Sequence, residues 1–282
     1  MSLKISITGA SGFIGSFLCK ELTKKKFILQ KIKRVDFDDN QRLIKKVTSF
    51  EADFFIHLAS DTSPDDKDAF KNQMKSTIQT SIDIAYAIPQ STKLAIFFGS
   101  IEEYGDSPIP YTESNQPNPL SAYGWAKYSS YLAVKQILEK RKVPYLWLRP
   151  CLILGRNGSN KRLVGQLINS IDNKEKFNPQ NPEHIRDLLY VDDLPKIIVK
   201  IIINYKNFRN IILNISNENY FYVKNLMQGL TKSKLTKIKR TQLLGKPGVE
   251  LKVNSPTLFK KKLGKFSFTH HKKWNKLLFK NS

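Results

Sequence analysis

A glycine turn near the start of the chain constrains the fold more than any other feature. Residues 8–15 read TGASGFIG; they follow an apolar alternation at Leu3, Ile5 and Ile7 and precede apolar residues at helical spacing. A strand, a glycine turn and a helix in this order bring backbone N–H groups against a pyrophosphate at the positive helix end. We therefore predict a dinucleotide site at Gly9, Ser11, Gly12, Phe13, Ile14 and Gly15.

Apolar runs and helical periods alternate through the rest of the chain. Predicted strands lie at 3–7, 27–34, 52–60, 93–100, 143–153 and 211–215, and predicted helices after Gly15 and at 41–47, 66–88, around Tyr123, 161–172, 191–204 and 221–232. Such alternation is typical of a parallel sheet covered by helices on both faces. We predict an α/β protein with a Rossmann-type doubly wound parallel sheet in 1–153 and a smaller substrate-binding region in 154–282, from which about 185–215 returns to the first domain.

Composition indicates a protein without a membrane span. The 282 residues can bury a full core, and every long aliphatic stretch is interrupted before the roughly 18 residues that a membrane helix needs. Cys19 and Cys151 lie in apolar contexts far apart in the sequence, which favours buried thiols over a disulfide. We expect a cytoplasmic protein.

The formal net charge of +23 leaves three classes of partner open: nucleic acid, a membrane surface or an anionic small substrate. The lysines cluster at 24–26, 260–262 and 272–273, without the aromatic interleaving of an RNA-binding surface. We favour a solvated surface and expect no nucleic-acid partner. His57 and the His270–His271 pair lack metal-ligand spacing, so no metal site is predicted.

Six short motifs occur in an order that matches one known family. After TGASGFIG come HLAS (57–60), GSIEEYG (99–105), YGWAK (123–127), RP (149–150) and IRDLLYVDD (185–193). Together they resemble the extended short-chain dehydrogenase/reductase family, the NAD(P)-dependent epimerases, dehydratases and reductases of nucleotide sugars. The resemblance covers essentially the whole chain, and it implies a cofactor-binding Rossmann domain and a C-terminal region that closes over a nucleotide-sugar substrate.

Tyr123 and Lys127 stand four residues apart, so in a helix their side chains share one face. Such pairs are common on exposed helices, but the resemblance implies a catalytic pair, with Ser100 at a strand end as the third member. Tyr123 would pass a proton to or from a sugar hydroxyl or ketone, and Lys127 would also hold the nicotinamide ribose. We expect the Lys127 ammonium to lower the pKa of the Tyr123 phenol.

Glu102 lies where the resemblance places an acidic residue of dehydratases and decarboxylases. A second acid or hydroxyl often precedes it in the dehydratases, and here that position is Ile101. Glu102 therefore has three interpretations: a catalytic acid, a ligand of a sugar hydroxyl together with Ser100, or a solvent-facing turn residue beside Glu103.

Arg186 in IRDLLYVDD matches a family arginine near the nucleotide diphosphate. A guanidinium suits phosphate because its donors form a fork. The alternative is a structural ion pair of Arg186 with Asp187 or Asp192.

The end of the second predicted strand bears on the choice of cofactor. An NAD site would place an acidic residue there for the adenosine ribose, whereas this chain has Lys33 and Arg34, which suit the 2′-phosphate of NADP. Asp36 is the competing ribose ligand, although it belongs to the following VDFD turn. NADP(H) is favoured over NAD(H). The further cofactor residues implied by the resemblance are Asp36, Phe37, Leu58, Ala59, Ser60, Tyr123, Lys127 and Pro150.

These features favour an NADPH-dependent reductase of a nucleotide-diphosphate-linked 4-keto-6-deoxysugar, in deoxysugar biosynthesis for a surface polysaccharide or glycoconjugate. The alternatives are a nucleotide-sugar 4-epimerase or 4,6-dehydratase with tightly bound NAD, and a non-catalytic regulatory or RNA-binding relative. The resemblance also implies a homodimer, in which helix 66–88 and the Tyr123 helix pair with their symmetry mates.

Overall fold

The computed structural model describes residues 2–61, 68–158, 162–232, 236–238 and 251–279. Within these residues the strands are β1 (Lys4–Thr8), β2 (Ile28–Ile32), β3 (Phe54–His57), β4 (Leu94–Phe98), β5 (Tyr145–Pro150), β6 (Leu152–Leu154), β7 (Ile185–Tyr190), β8 (Ile211–Ile215), β9 (Tyr220–Tyr222) and β10 (Leu251–Lys252). The α-helices are α1 (Phe13–Lys24), α2 (Asn40–Ser49), α3 (Ala69–Gln73), α4 (Thr80–Ala87), α5 (Ala122–Lys140), α6 (Leu163–Asp172), α7 (Asp193–Ile203), α8 (Leu226–Thr231), α9 (Thr257–Leu263) and α10 (Trp274–Phe279). A π-helical segment, Met74–Gln79, joins α3 to α4.

The larger sheet is parallel and has the strand order β2-β1-β3-β4-β5-β8. Alternate side chains of its central strands enter two separate cores: Phe54 and Ile56 of β3 lie in one hydrophobic cluster, and Phe55 lies in the other. Because both faces are buried, these strands are continuously apolar instead of alternating with polar residues. The predicted doubly wound Rossmann-type sheet is confirmed.

The strand order reverses at β1, which has β2 on one side and β3 on the other. Ligands of open α/β sheets bind at the carboxyl ends of the strands beside such a reversal. The glycine turn follows β1 and residues 58–60 follow β3, so both predicted cofactor segments lie at this edge.

The smaller sheet contains β10, β7 and β6, with β9 pairing antiparallel to β7. The chain leaves the larger sheet at Cys151, so the single strand predicted at 143–153 is two strands in different sheets. The segment predicted to return at about 185–215 divides: β7 lies in the smaller sheet, and β8 lies in the larger one.

One predicted helix differs markedly from the structure at its start, and the predicted starts of two others lie outside the described residues. The helix predicted at 221–232 is wrong over its first residues, because Tyr220–Tyr222 pairs with β7 and the α-helix begins at Leu226. Of the helix predicted at 66–88, the first two residues lie outside the described ones, as does residue 161 of the helix predicted at 161–172. In the described part of the chain, no helix is both long and apolar enough to cross a membrane.

Candidate active site

The glycine turn packs directly against the loop that follows β3. Gly9 has a φ of +68°, and a Cβ atom there would lie 2.8 Å from the backbone nitrogen of Ala59. A Cβ atom on Gly15 would lie 2.0 Å from the Gly9 carbonyl oxygen, so α1 starts flush against the turn. Within the described residues no side chain caps the N-terminus of α1. The amides of this helix end are therefore suited to a pyrophosphate.

The loop at Leu58, Ala59 and Ser60 is held in place from below by Thr8. The Thr8 hydroxyl accepts hydrogen bonds of 3.2 Å from the backbone N–H groups of Leu58 and Ala59 and lies 2.8 Å from Nδ1 of His57. Burial lowers the pKa of His57 to about 3, which keeps this imidazole neutral. The conformation of the loop thus depends on a buried polar contact between β1 and β3.

At the end of β2, two cations face solvent and the acidic side chain faces inward. Lys33 and Arg34 are exposed, whereas the Asp36 side chain is only 1% exposed. The Asp36 carboxylate accepts from the Lys33 backbone N–H at 2.6 Å and from Lys46 Nζ at 2.5 Å. Burial opposes its ionisation, but these hydrogen bonds outweigh that effect and lower its pKa. Asp36 therefore has protein partners, while Lys33 and Arg34 extend from the sheet edge.

The remaining predicted cofactor residues surround the same edge. Phe37 packs on the core cluster below β2, and Pro150 is buried at the end of β5. Ser11 is exposed, and Phe13 and Ile14 are half-buried at the start of α1, where the Phe13 ring meets the Phe17 ring edge-on.

Ser100 and Tyr123 meet at the carboxyl end of β4. Ser100 is the N-cap of a single 3₁₀ turn, Ile101–Glu103, and its hydroxyl accepts a 3.2 Å hydrogen bond from the Glu102 backbone N–H. The same hydroxyl is hydrogen-bonded to the Tyr123 phenol. Tyr123 lies in the first turn of α5, so the strand end and the helix start place these two hydroxyl groups together.

Lys127 lies one turn further along α5, and the predicted shared face is confirmed. Its Nζ is 5.8 Å from the centre of the Tyr123 ring and donates a 2.7 Å hydrogen bond to the Phe98 carbonyl. The residue is 3% exposed, and burial lowers the pKa of its ammonium to about 8. The three predicted catalytic side chains are thus in one place.

The pKa of Tyr123 differs from the expectation. Burial raises it to about 12; the charge of Arg162 opposes that shift, and those of Glu102 and Glu103 add to it. The expected lowering by Lys127 was wrong, because removal of the phenol from water is the largest effect on this pKa. The phenol is consequently protonated at neutral pH.

A cavity of about 380 Å³ opens beside Tyr123 between the two sheets. Tyr123 lines this cavity, and with its neighbours Ser100 and Lys127 it forms what we call the tyrosine wall. Three cations also line the cavity and form the cation wall (Arg162, Arg186 and Lys252); the Arg162 guanidinium lies 5.0 Å from the centre of the Tyr123 ring. Three cations around one cavity indicate an anionic ligand.

Glu102 connects the two walls. Its Oε2 lies 2.6 Å from Lys252 Nζ, and both side chains remain partly exposed in the cavity, at 24% and 19%. Glu102 thus lies in a turn, as one interpretation had it, but its side chain is partnered by Lys252. A carboxylate paired with an ammonium suits hydrogen bonding to a hydroxyl.

Arg186 lines the cavity, with its Nη1 donating to the Ile185 carbonyl at 3.0 Å and its Nη2 3.3 Å from His184 Nδ1. Asp187, one of its two suggested partners, is fully buried, and its Oδ2 accepts from the Ser216 hydroxyl at 2.5 Å. Successive residues of β7 point to opposite faces, so Arg186 reaches the cavity and Asp187 does not.

Sequence reasoning missed Arg162 and Lys252. Arg162 immediately precedes α6 as its N-cap residue, and Lys252 lies in the two-residue strand β10, in register with Arg186 of β7. Arg162 could have been found from the sequence, because it is a basic residue directly before an apolar helix. No local sequence pattern marks Lys252. Among the described residues there is no group of three or more side chains that could hold a metal ion.

A sequence model of the NAD dependent epimerase/dehydratase family matches residues 5–216. The chain is 25% identical over 233 residues to a dTDP-D-glucose 4,6-dehydratase of Dictyostelium discoideum, a match that covers 68% of this chain and 53% of that protein. It is also 25% identical over 208 residues to a GDP-6-deoxy-D-talose 4-dehydrogenase of Aggregatibacter actinomycetemcomitans, covering 71% and 70% of the two chains. The chain thus spans about half the length of the first relative.

Solved structures share the fold across nearly the whole chain. The UDP-glucuronic acid 4-epimerase of Bacillus cereus, crystallised with UDP-glucuronic acid and NAD, superposes with a TM-score of 0.82 at 20% identity, covering 99% and 98% of the two chains. The UDP-glucose 4-epimerase of Thermotoga maritima, solved with UDP-glucose, has a TM-score of 0.83 at 20% identity and covers 98% and 97%.

Proposed function

The chain belongs to the NAD dependent epimerase/dehydratase family of enzymes, and from this premise we propose that it is an NADPH-dependent reductase of a nucleotide-diphosphate-linked 4-keto-6-deoxysugar. The product would serve deoxysugar synthesis for a surface polysaccharide or glycoconjugate. The resemblance to a GDP-6-deoxy-D-talose 4-dehydrogenase supports this substrate class, since that relative is named for redox chemistry at C4 of a 6-deoxysugar.

The end of β2 carries the choice of a reductase. Lys33 and Arg34 are exposed there, and the Asp36 carboxylate, the alternative ribose ligand, already accepts hydrogen bonds from Lys33 N and Lys46. Two cations beside an internally paired acid suit the 2′-phosphate that distinguishes NADP from NAD. A reductase consumes reduced cofactor at each turnover, and preference for NADPH agrees with such a use.

The glycine turn and the tyrosine wall fit a nicotinamide dinucleotide. The close approach at Gly9 and Gly15 and the uncapped start of α1 would hold the pyrophosphate, and Lys127 would reach the ribose next to the nicotinamide. When bound, the reduced nicotinamide supplies a hydride to C4 of the sugar.

The residues of the tyrosine wall perform the proton transfer. Tyr123 donates its phenolic proton to the C4 carbonyl oxygen as that oxygen becomes an alcohol, and the Ser100 hydroxyl holds the same oxygen and the phenol in line. A pKa of about 12 keeps Tyr123 in the protonated form that ketone reduction requires at the start of each turnover. The charge of Arg162 favours the phenolate that remains.

The cation wall binds the rest of the substrate. Arg186 and Arg162 offer forked donors for the diphosphate, and Lys252 adds a third positive charge beside them. Glu102, whose Oε2 lies 2.6 Å from Lys252 Nζ, accepts a hydrogen bond from a sugar hydroxyl. This division assigns chemistry to one wall and recognition to the other.

An epimerase or dehydratase with tightly bound NAD is the second candidate. The crystallised Bacillus cereus epimerase was solved with NAD, which favours that cofactor for a protein of this fold. Against a dehydratase stands Ile101, which precedes Glu102 where dehydratases often have a second acid or hydroxyl. A regulatory or RNA-binding relative would need none of the Ser100, Tyr123 and Lys127 contacts.

A panel of nucleotide sugars, containing both 4-keto-6-deoxysugars and hexoses with a C4 hydroxyl, incubated with NADPH or NADH, tests the proposal. We expect absorbance at 340 nm to fall with NADPH, one cofactor oxidised per sugar, and NMR of the product to show a hydroxyl at C4. Isomerisation or dehydration of a nucleotide sugar without net cofactor consumption, by protein purified with NAD bound, would identify the second candidate instead. Inertness toward the whole panel would favour the non-catalytic relative.

We further propose a homodimer formed through α3, α4 and α5. Phe70, Met74, Tyr86 and Leu132 on these neighbouring helices are each about half exposed, at 52%, 55%, 60% and 48%, so the apolar side chains are not used up by packing on the sheet. A twofold contact would bury them. Light scattering at micromolar concentration should give twice the monomer mass, and Leu132→Asp should reduce the measured mass to that of the monomer.

The buried free thiols Cys19 and Cys151 keep the cytoplasm as the expected compartment.

A further inference from the structure

Glu102 and Glu103 are adjacent in the sequence but have different surroundings. Glu102 faces the cavity, whereas Glu103 is 0% exposed beneath Ser100. Glu103 Oε1 accepts from the Ser100 backbone N–H at 2.8 Å and from Trp147 Nε1 at 3.0 Å. Its Oε2 accepts from Arg149 Nε at 2.8 Å and lies 2.7 Å from Nη2 of the same guanidinium. A single buried carboxylate thus joins the catalytic turn to β5.

The chain makes room for this carboxylate under the active site. A Cβ atom on Gly99, the residue before Ser100, would lie 2.1 Å from Glu103 Oε1 and 2.2 Å from Trp147 Nε1. The paired Arg149 is also fully buried, with its guanidinium 4.5 Å from the centre of the Tyr104 ring. Apolar side chains of similar volume often replace such buried ion pairs without loss of stability, so stability alone is a weak explanation for this one.

We propose that Glu103 is a positioning residue for the proton transfer: its carboxylate holds the Ser100 backbone so that the Ser100 hydroxyl is aimed at Tyr123. The proposal rests on the proposed function of Tyr123 as proton donor. Ser100 heads a turn of only three residues, and its own hydroxyl is one of the groups that fold the turn, through the Glu102 N–H. Two contacts hold the start of the turn independently of the catalytic hydroxyl: the Glu103 N–H donates to the Ser100 carbonyl oxygen at 3.2 Å, and the Glu103 carboxylate accepts from the Ser100 N–H at 2.8 Å.

The charge of Glu103 also acts on both neighbouring proton-carrying groups. It adds to the burial that raises the pKa of Tyr123, and it opposes the burial that lowers the pKa of Lys127. Both effects favour the protonated form. Removing the negative charge should therefore move both pKa values downward.

The double variant Glu103→Leu/Arg149→Met separates positioning from structural support. It removes both charges together, so no unpaired ion remains buried and we expect the fold to persist, as checked by circular dichroism and thermal melting. With the anchor of Ser100 gone, kcat should fall about tenfold or more, while the KM for the sugar stays within about twofold. A folded double variant with wild-type kcat would overturn the proposal.

The conservative variant Glu103→Gln tests the charge, with Trp147→Phe as its matched control. Glutamine keeps an oxygen for Ser100 N, so it should retain more kcat than the double variant, and the alkaline fall of its kcat profile should move to lower pH. Trp147→Phe removes a different hydrogen bond from the same carboxylate and leaves its charge in place, so its profile should not move. Equal profiles for wild type and Glu103→Gln would contradict the assignment.

Amide hydrogen exchange at Ser100 gives a readout that does not depend on turnover. The Ser100 amide should exchange about tenfold or more faster in the double variant than in wild type, whatever reaction the enzyme catalyses. Faster exchange in a protein that reduces no keto sugar would contradict the proposed function and leave the role of Glu103 intact. Unchanged exchange of the Ser100 amide would contradict the role of Glu103.

Discussion

The two walls of the cavity are built in different ways. The tyrosine wall comes from one strand end and the helix that follows it along the chain, and its groups contact one another: Ser100 bonds Tyr123, and Lys127 bonds the backbone of β4. The cation wall comes from a helix N-cap and two strands of the smaller sheet, brought together by the pairing of β7 with β10. Local sequence determines the first wall, and long-range pairing determines the second.

This difference suggests a division of labour that kinetics can test. Groups held together on one strand end and the adjoining helix are positioned before substrate arrives, which is what a reaction step needs. Partly exposed cations on separate elements are suited to bind an anion, and their contribution is to affinity. Variants of the tyrosine wall should therefore change kcat, and variants of the cation wall should change KM.

The largest effect is expected from Tyr123→Phe. The ring remains and the proton donor is lost, so kcat should fall by roughly 10²-fold or more while the fold, cofactor binding and the KM for the sugar persist. Steady-state kinetics with NADPH, together with a cofactor titration by fluorescence, measures each quantity. Near wild-type turnover would contradict the role assigned to this wall.

The next effect concerns the sheet edge far from both walls. Lys33→Ser/Arg34→Ser removes two exposed cations at the end of β2, and loss of one charge-assisted contact to a 2′-phosphate should weaken NADPH by about tenfold or more. NADH lacks this phosphate and should bind equally well to wild type and variant, as titration of both cofactors would show. An equal loss for both cofactors, or tighter NAD⁺ than NADP⁺ in wild type, would favour the NAD-bound epimerase or dehydratase.

A smaller effect is expected on the cation wall. Arg186→Met should raise the KM of the nucleotide sugar about tenfold with little change in kcat. Arg186→Lys keeps the charge but not the forked donors of the guanidinium, so its KM should lie between those of wild type and Arg186→Met. Inhibition by the free nucleoside diphosphate should weaken in parallel. A fall in kcat with no rise in KM would contradict the assignment of substrate binding to the cation wall and of catalysis to the tyrosine wall.

The tyrosine wall could be predicted from the sequence because the motifs that indicate it are local. The spacing of Tyr123 and Lys127 predicted a shared helix face, and α5 does begin at Ala122, with the Ser121 hydroxyl accepting from the Gly124 N–H at 3.0 Å. The resemblance then placed Ser100 beside them. The family resemblance and the Rossmann-type sheet are confirmed for the same reason, since both depend on short motifs that follow strands.

Of the cation wall, only Arg186 was predicted from the sequence, because the geometry of this wall depends on which segments pair. Lys252 lies in a strand of two residues, too short for a periodicity, and faces the cavity only through its register with Arg186. The same smaller sheet takes Tyr220–Tyr222 away from the predicted helix. The pKa of Tyr123 was missed for a related reason: sequence shows the neighbouring Lys127 but not the burial that dominates.

The smallest effect is on stability and comes from the acid beside Arg186. Burial raises the pKa of Asp187 to about 7, whereas in the unfolded chain it has the ordinary value of 3.8. Between about pH 4 and 7 the unfolded state has lost this proton and the folded state keeps it, so rising pH favours unfolding across that window and has no further effect above it. Asp187→Asn cannot titrate, and its Tm should therefore fall less than that of wild type between pH 5 and pH 8, by about 2 °C or more. Asp36 is the matched control, since its pKa is lowered. It is ionised in both states throughout this range, so Asp36→Asn should lower Tm by the same amount at pH 5 and pH 8. A pH dependence that Asp187→Asn leaves unchanged would mean that the carboxyl beneath the cation wall is already ionised in the folded protein, and that this wall rests on a buried charge.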